Sequence, residues 1–262
     1  RIFQDLEDAP TMLGESDMQR KKAWCRYVVM MAALLGCSQA MSSVVITGTR
    51  VIFPADKKEV TVKINNNGTK PVLVQSWIDS GDPASTPSNS SAPFVISPPV
   101  SRVDADKGQS LRLMFTGTAL ASDKESVFWL NVLEIPVKAT SDQNMLQMAF
   151  RSRIKVFYRP ANLPGTPSAA IEALQWKVVA QPNGTYGLQA YNPTAFYVSQ
   201  SDLVLVNGGQ RILSEAGMIA PGETHIFALP GLKSMPAPGA KVEYSAINDY
   251  GALVPTHESV MP

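Results

Sequence analysis

Residues 146–165 read LQMAFRSRIKVFYRPANLPG. Leu146, Met148 and Phe150 alternate with other residues, so on an extended strand they share one face. Arg151, Arg153, Lys155 and Arg159 then place four cations within nine positions. Pro160, Pro164 and Pro167, with Gly165, end the pattern. An alternating strand that stops at a proline-rich break reads as the last strand of one domain, followed by a linker to the next.

Both sides of this stretch read as short strands. Upstream, Val60–Ile64 alternates and Asn65-Asn66-Asn67-Gly68 turns. Val72–Ile78 resumes a strand, with Trp77 expected in the core. A Pro/Ser/Gly-rich loop covers Ser80–Pro93. Phe94–Ile96, Ser110–Phe115 and Val127–Ile135 follow as further strands. Downstream, strands fit Leu174–Val179, Gly187–Asn192, Tyr197–Val206, Arg211–Leu213, His225–Leu229, Lys241–Ile247 and Ala252–Pro255, with a tight hairpin opened by Asn207-Gly208. Helical periodicity is nearly absent. Many short strands with turn signals between them predict an all-β protein of two sandwich domains.

The composition is that of a globular chain, 45% hydrophobic and 17% charged. A net charge of +1 argues against nucleic acid or an anionic membrane as the main partner. Electrostatic work must therefore come from local clusters.

The beginning of the chain reads as export machinery. Met18 and the basic Arg20-Lys21-Lys22 precede an apolar run, Tyr27–Gly36, and Ser38-Gln39-Ala40 offers a small-residue cleavage site. Residues 18–40 are thus expected to be a signal peptide, and residues 1–17 an upstream extension or flanking sequence. The apolar run is too short for a stable membrane anchor. Leu34-Leu35-Gly36-Cys37 also resembles a bacterial lipobox, which would place a lipid on Cys37, but its second leucine fits poorly. Both cysteines, Cys25 and Cys37, lie in the signal. The mature chain would then have no disulfide and must depend on its hydrophobic cores.

Catalytic patterns are missing from the sequence. The two histidines, His225 and His257, lack metal-ligand spacing, and no cysteine completes a site. There is no G-x-S-x-G elbow and no glycine-rich phosphate loop. These patterns point away from an enzyme and imply no cofactor and no metal. They point toward a secreted binding module.

Several blocks in order carry a family resemblance: Thr49-Arg50-Val51-Ile52-Phe53-Pro54, Ser76-Trp77-Ile78-Asp79, Pro93–Pro99, Glu125–Asn131, Glu134-Ile135-Pro136, Lys155-Val156-Phe157-Tyr158-Arg159-Pro160 and Ile247-Asn248-Asp249-Tyr250-Gly251. Together they resemble the PapD-like periplasmic pilus-assembly chaperones of the chaperone–usher pathway, over essentially the whole mature chain. The resemblance implies two immunoglobulin-like β-sandwich domains arranged as an L with an interdomain cleft, residues 41–160 being the pilin-binding domain and 161–262 the second. It implies a periplasmic chaperone that stabilises pilus subunits by donor-strand complementation and delivers them to an outer-membrane usher. A secreted structural or adhesive two-domain protein of a pilus system is the alternative.

Residue by residue, the resemblance implies three roles. Arg50 and Lys155 would bind the C-terminal carboxylate of a subunit in the cleft. Leu146, Met148 and Phe150 would be the donated side chains, although alternation alone leaves open that they face the domain's own core. Arg159 would join Glu125 and Asp249 in a buried network of net charge −1 that fixes the domain orientation. Lys155 has the opposite parity to Leu146, so a bulge, a twist or a site at the strand's end must reconcile anchor and donor. The short loop Lys138–Asn144 is, in the family, typical of chaperones for rod-like pili, and Val137 stands where a second proline is more usual. Arg151 and Arg153 read as a solvated edge that discourages unwanted pairing. The unliganded chain would carry an open edge strand and could self-associate.

Overall fold

The structure is a computed structural model that describes residues 43–136, 148–182, 184–255 and 257–260. Leu146, Val137, the loop Lys138–Asn144 and the signal region lie outside the described residues.

The first half builds nine strands: β1 (Val44–Ile46), β2 (Arg50–Pro54), β3 (Glu59–Asn66), β4 (Val72–Asp79), β5 (Phe94–Ser97), β6 (Val100–Val103), β7 (Gly108–Phe115), β8 (Ser126–Pro136) and β9 (Phe150–Arg159). They form two sheets, in the orders β1-β3-β7-β5 and β2-β9-β8-β4-β6. Alternation decides the inner faces. Val62 and Ile64 of β3, Leu111 and Leu113 of β7, Val74 of β4, Leu130 of β8 and Val156 of β9 meet in one buried cluster. At one end Phe53, Phe94, Phe115, Phe128 and Tyr158 make a chain of ring contacts, 4.6–6.4 Å between centroids. The Asn-rich turn is held by buried Asn66. Its amide donates to the Lys70 and Val103 carbonyls, and its oxygen accepts from Gly68 N–H.

After β9, Thr166 caps the short helix α1 (Pro167–Glu172) by accepting from Ala169 N–H, with a proline at the first turn. Beyond it lie β10 (Gln175–Ala180), β11 (Tyr186–Tyr191), β12 (Val198–Asn207), β13 (Gln210–Ser214), β14 (Met218–Ile219), β15 (Thr224–Ala228), β16 (Lys241–Ala246) and β17 (His257–Val260). Their sheets run β10-β11-β15 and β13-β12-β16-β17, with β14 added to β12. A second core gathers Trp176, Leu188, Leu203, Leu205, Phe227, Val242 and Tyr244. The two cores are separate clusters. The β12–β13 hairpin turns through Gly208 and Gly209, both at positive φ, the conformation a two-residue turn of this kind requires. The strand expected at Ala252–Pro255 is only a single bridge, Ile247 to Leu253, and the edge strand is β17 instead. Two turns of this second half face the first. One is 192–197, organised by buried Asn192, which donates to the Phe196 and Ile219 carbonyls and accepts from Thr194. The other is 247–253.

Candidate functional site

β2 runs parallel to β9, and their register sets Arg50 directly beside Lys155. Neighbours in a sheet point the same way, so the two cations share a face. The Arg50 guanidinium lies over the Phe157 ring, 5.6 Å from its centroid, and its Nη1 donates to the Ile247 carbonyl at 2.9 Å. That bond ties the first strand of this sheet to the 247–253 turn. Arg50 Nε is buried and has no partner. Burial holds the Arg50 pKa below its ordinary value, partly offset by Asp249 and Glu125. Burial, and then the neighbouring Arg50 charge, hold Lys155 down as well. Among the described residues neither Arg50 nor Lys155 has a carboxylate ion-pair partner. Two half-buried cations side by side form a site that an anion would stabilise.

Beside them is a cavity of about 160 Å³, lined among others by Arg50, Phe157, Arg159, Ser199, Asp249 and Tyr250. Lys155 is not among its lining residues. The hydroxyl of Ser199, a residue only 3% exposed, has no partner there.

Arg159, four residues along β9, carries the densest ion network. Its Nε donates to Glu125 Oε1 at 2.6 Å, and Nη1 and Nη2 donate to Asp249 Oδ2 and Oδ1 at 2.6 and 2.8 Å. The fork geometry of a guanidinium allows one side chain to serve both carboxylates. Glu125, 3% exposed, also accepts from Tyr197 N–H through its other oxygen, while its own N–H donates to the Ala195 carbonyl. Burial is the largest influence on both groups. It pushes the Glu125 carboxyl up despite the Tyr197 and Arg159 contacts. It would pull Arg159 down, but hydrogen bonds and charge from Asp249 and Glu125 outweigh it and raise the guanidinium. The Arg159 guanidinium also lies over Phe196, and Phe157 packs against Tyr197. The trio thus joins the residue just before β8, the end of β9 and the 247–253 turn, with the 192–197 turn packed onto it.

The donor candidates divide. Phe150 opens β9 opposite Glu134 and is half-buried, outside the core cluster. Met148, just before the strand, is 50% exposed. From Phe150 to Ile154, β9 is paired to β8 alone, since β2 joins it only from Lys155. The other edge of that stretch carries no strand among the described residues, which leaves its backbone groups open to a further strand. Of the bulge, twist or strand-end site that could reconcile anchor and donor, the bulge is absent: the β8–β9 register runs unshifted from Glu134–Phe150 to Ser126–Tyr158. Phe150 and Lys155 therefore lie on opposite faces of an uninterrupted strand.

Arg151 and Arg153 correct the reading of a solvated edge. Arg153 donates Nη2 and Nε to Asp79 Oδ1 and Oδ2, at 2.5 and 3.1 Å, and covers Trp129. Arg151 donates to Asn131 Oδ1 and to the Pro83 carbonyl, and covers Trp77. Asn131 Nδ2 in turn donates to Asp79 Oδ2 at 2.7 Å. Asp79 is 1% exposed. Its burial alone would raise its pKa, but bonds from Arg153, Asn131 and the Gly81 N–H outweigh that and lower it. Trp77 is buried as expected, yet beneath Arg151 and Ser85 on the outer face rather than in the sandwich. The available signal was alternation itself. Trp77 and Asp79, and Trp129 and Asn131, sit two apart on adjacent strands, a large polar-aromatic patch facing outward.

Among the described residues no cluster of His, Cys, Asp and Glu could hold a metal, and no helix is long and apolar enough to cross a membrane.

Comparison with known proteins matches both halves to family models. Residues 43–164 match the pili and flagellar-assembly chaperone PapD N-terminal domain, and residues 169–258 the pili assembly chaperone PapD C-terminal domain. The "Probable fimbrial chaperone YadV" of Escherichia coli K12 is 45% identical over 222 residues, covering 83% of this chain and 89% of the relative. The "Chaperone protein FimB/FhaD" of Bordetella pertussis is 42% identical over 238 residues, covering 88% and 93%. The crystal structure of the YadV chaperone superimposes with a TM-score of 0.73 at 43% identity, covering 84% of this chain and all of the other. The structure of the Salmonella enterica SafA pilin in complex with the SafB chaperone matches with a TM-score of 0.70 at 27% identity, covering 86% and 99%.

Proposed function

The chain belongs to the PapD family of pilus-assembly chaperones, and from that premise we propose that it holds unassembled pilus subunits in the periplasm and passes them to an outer-membrane usher. The subunit's C-terminal carboxylate binds between Arg50 and Lys155. The subunit's chain then runs along the free edge of β9, where main-chain hydrogen bonds supply general affinity. Met148 and Phe150, with Leu146 beyond the described residues, enter the groove that a lone subunit would leave open. Covering that groove removes an aggregation hazard. Nothing in this cycle requires a bond to be made or broken in the subunit, so the role is that of a binding protein and not an enzyme. The signal peptide directs export and is cleaved near Ala40, which leaves the mature chain in the periplasm.

The observation that carries the reading is the half-buried cation pair beside an open strand edge. Without an anion, the desolvation and mutual repulsion of the pair are offset only in part, by Asp249 and Glu125 acting on Arg50. A carboxylate is the smallest anion that also brings a peptide chain to that edge. The same edge leaves the empty chaperone able to pair with itself.

The test is retention of subunit. Arg50→Ala and Lys155→Ala are expressed separately with the pilus subunits, and the subunit that co-purifies from the periplasm is measured. Removing one partner of a desolvated charge pair costs about 2–5 kcal/mol, so each variant is expected to lose subunit at least about tenfold. Wild-type retention by two folded variants would refute the carboxylate anchor.

A further inference from the structure

Tyr250 stands out from every other apolar side chain in the described residues, with 92% of its surface exposed. It is nevertheless held on a closely fixed turn. Asn248 Oδ1 accepts from the Tyr250 and Ala252 N–H groups, and Gly251 N–H donates to the Asn248 carbonyl. The turn is tied to the first domain on both sides of Tyr250. Asp249 is bound by the Arg159 fork, and Gly251 lies so close to Thr49 that a Cβ at its positive φ would collide with Thr49 Oγ1. Just before it, the Ile247 carbonyl accepts from Arg50.

The backbone that carries this ring is fixed before any partner arrives, so a partner need order only the side chain, a smaller cost that favours an exposed tyrosine as an interaction anchor. Tyr250 also lines the 160 Å³ cavity with Arg50. That volume gives room for the end of a chain and not for a folded surface. Two buried polar atoms in its walls, Arg50 Nε and Ser199 Oγ, have no partner. The cavity offers the Arg50 guanidinium and the Ser199 hydroxyl with an aromatic ring beside them, and its two carboxylates, Glu125 and Asp249, are already engaged by Arg159, which leaves Arg50 to receive a terminal carboxylate and Tyr250 to meet an apolar side chain.

We propose that Tyr250 is a specificity-determining contact for the last residue of the bound subunit, packing its ring on that residue's side chain. The proposal rests on the carboxylate reading of Arg50 and Lys155. It adds that the chaperone reads which residue carries the carboxylate, and that the reading element belongs to the second domain.

The experiment uses a fluorescent peptide of alternating valine and serine, ending in Gly, Leu or Phe, each as free acid and as amide. Binding to the mature chain is followed by anisotropy. Wild type is expected to bind the Leu- and Phe-ended acids about five- to tenfold more tightly than the Gly-ended acid. Tyr250→Ala should bind the three acids alike and still prefer acid over amide. Tyr250→Phe should restore the preference. If Tyr250→Ala keeps the wild-type preference among acids, the role of Tyr250 is wrong and the anchor stands. If wild type fails to distinguish acid from amide, the carboxylate anchor falls and takes this proposal with it.

Discussion

At the residue scale, the chemistry turns on Lys155. Parallel pairing puts it beside Arg50, and burial plus that neighbour lower its pKa. The sign follows directly. A lysine with a depressed folded pKa loses its proton at lower pH than the ordinary value of about 10.4. Deprotonation removes one of two charges from the proposed anchor. Subunit affinity should therefore fall on the alkaline side earlier than a free lysine would predict. Lys155→Arg keeps the charge throughout this range, because a guanidinium does not deprotonate there. The variant is expected to bind at pH 7 within a few-fold of wild type and to show no alkaline loss. Binding measured from pH 7 to 10 decides it, and an alkaline loss of equal size in both proteins would remove Lys155 from the anchor. The identity of this residue was legible in the sequence through the Lys-Val-Phe-Tyr-Arg-Pro block. Its adjacency to Arg50 came from the family resemblance alone, because parallel pairing between the second and last strands of a domain leaves no local pattern in either.

At the scale of the element, β9 is a strand with two working faces. Alternation made the strand plain from its sequence, and the same alternation gave opposite faces to Phe150 and Lys155. The bulge, one of three ways offered to reconcile them, is absent, and opposite faces suit the two tasks: one side chain set can enter a subunit while the other holds charge. What alternation could not give was the surroundings of Arg151 and Arg153. Charged residues on a strand ordinarily face water, and only the register with β8 and β4 brings them over Trp77, Trp129 and buried Asp79. These contacts pin the free-edge part of β9 and the 80–93 segment to the sheet. Asp79→Asn should destabilise the protein by about 2–3 kcal/mol at pH 7. That is below the usual cost of breaking a fully buried pair, because the arginines remain about a quarter exposed. The Asp79 pKa is lowered by folding, so its contribution is present above the unfolded value of about 3.9 and disappears as pH falls through the folded value. Urea unfolding at pH 7 and near pH 3 should show the gap between wild type and variant closing at the lower pH. A gap that stays constant would mean that Asp79 acts through packing, not charge.

At the scale of the whole molecule, two separate cores must keep one relation for a site between them to exist. Each core was legible as a set of alternating strands, but the contacts that join them come from turns. Glu125 precedes β8, Ala195 and Tyr197 lie in a turn set by Asn192, and Asp249 sits in the 247–253 turn. No periodicity marks such residues, and only the family resemblance pointed to two of them, Glu125 and Asp249. Arg159 is the link, and two accounts of its worth are separable. Its guanidinium packs on Phe196, and it also neutralises Glu125, which is buried and already pushed toward its neutral form. Arg159→Ala should cost about 3 kcal/mol, reduced from the fully buried case because Asp249 is 30% exposed. For a chain of this size that lowers Tm by roughly 6–12 °C. If the cost is mainly an unpaired buried charge, adding Glu125→Gln to Arg159→Ala should recover a good part of it, although Glu125→Gln alone weakens the wild type. A coupling of about 1 kcal/mol or more in this double-mutant cycle, measured by thermal unfolding at pH 7, would assign the link to charge compensation. Simple additivity would assign it to packing on Phe196. In that case the domain relation would survive Arg159→Lys poorly, since a lysine cannot spread over the ring or fork to both carboxylates.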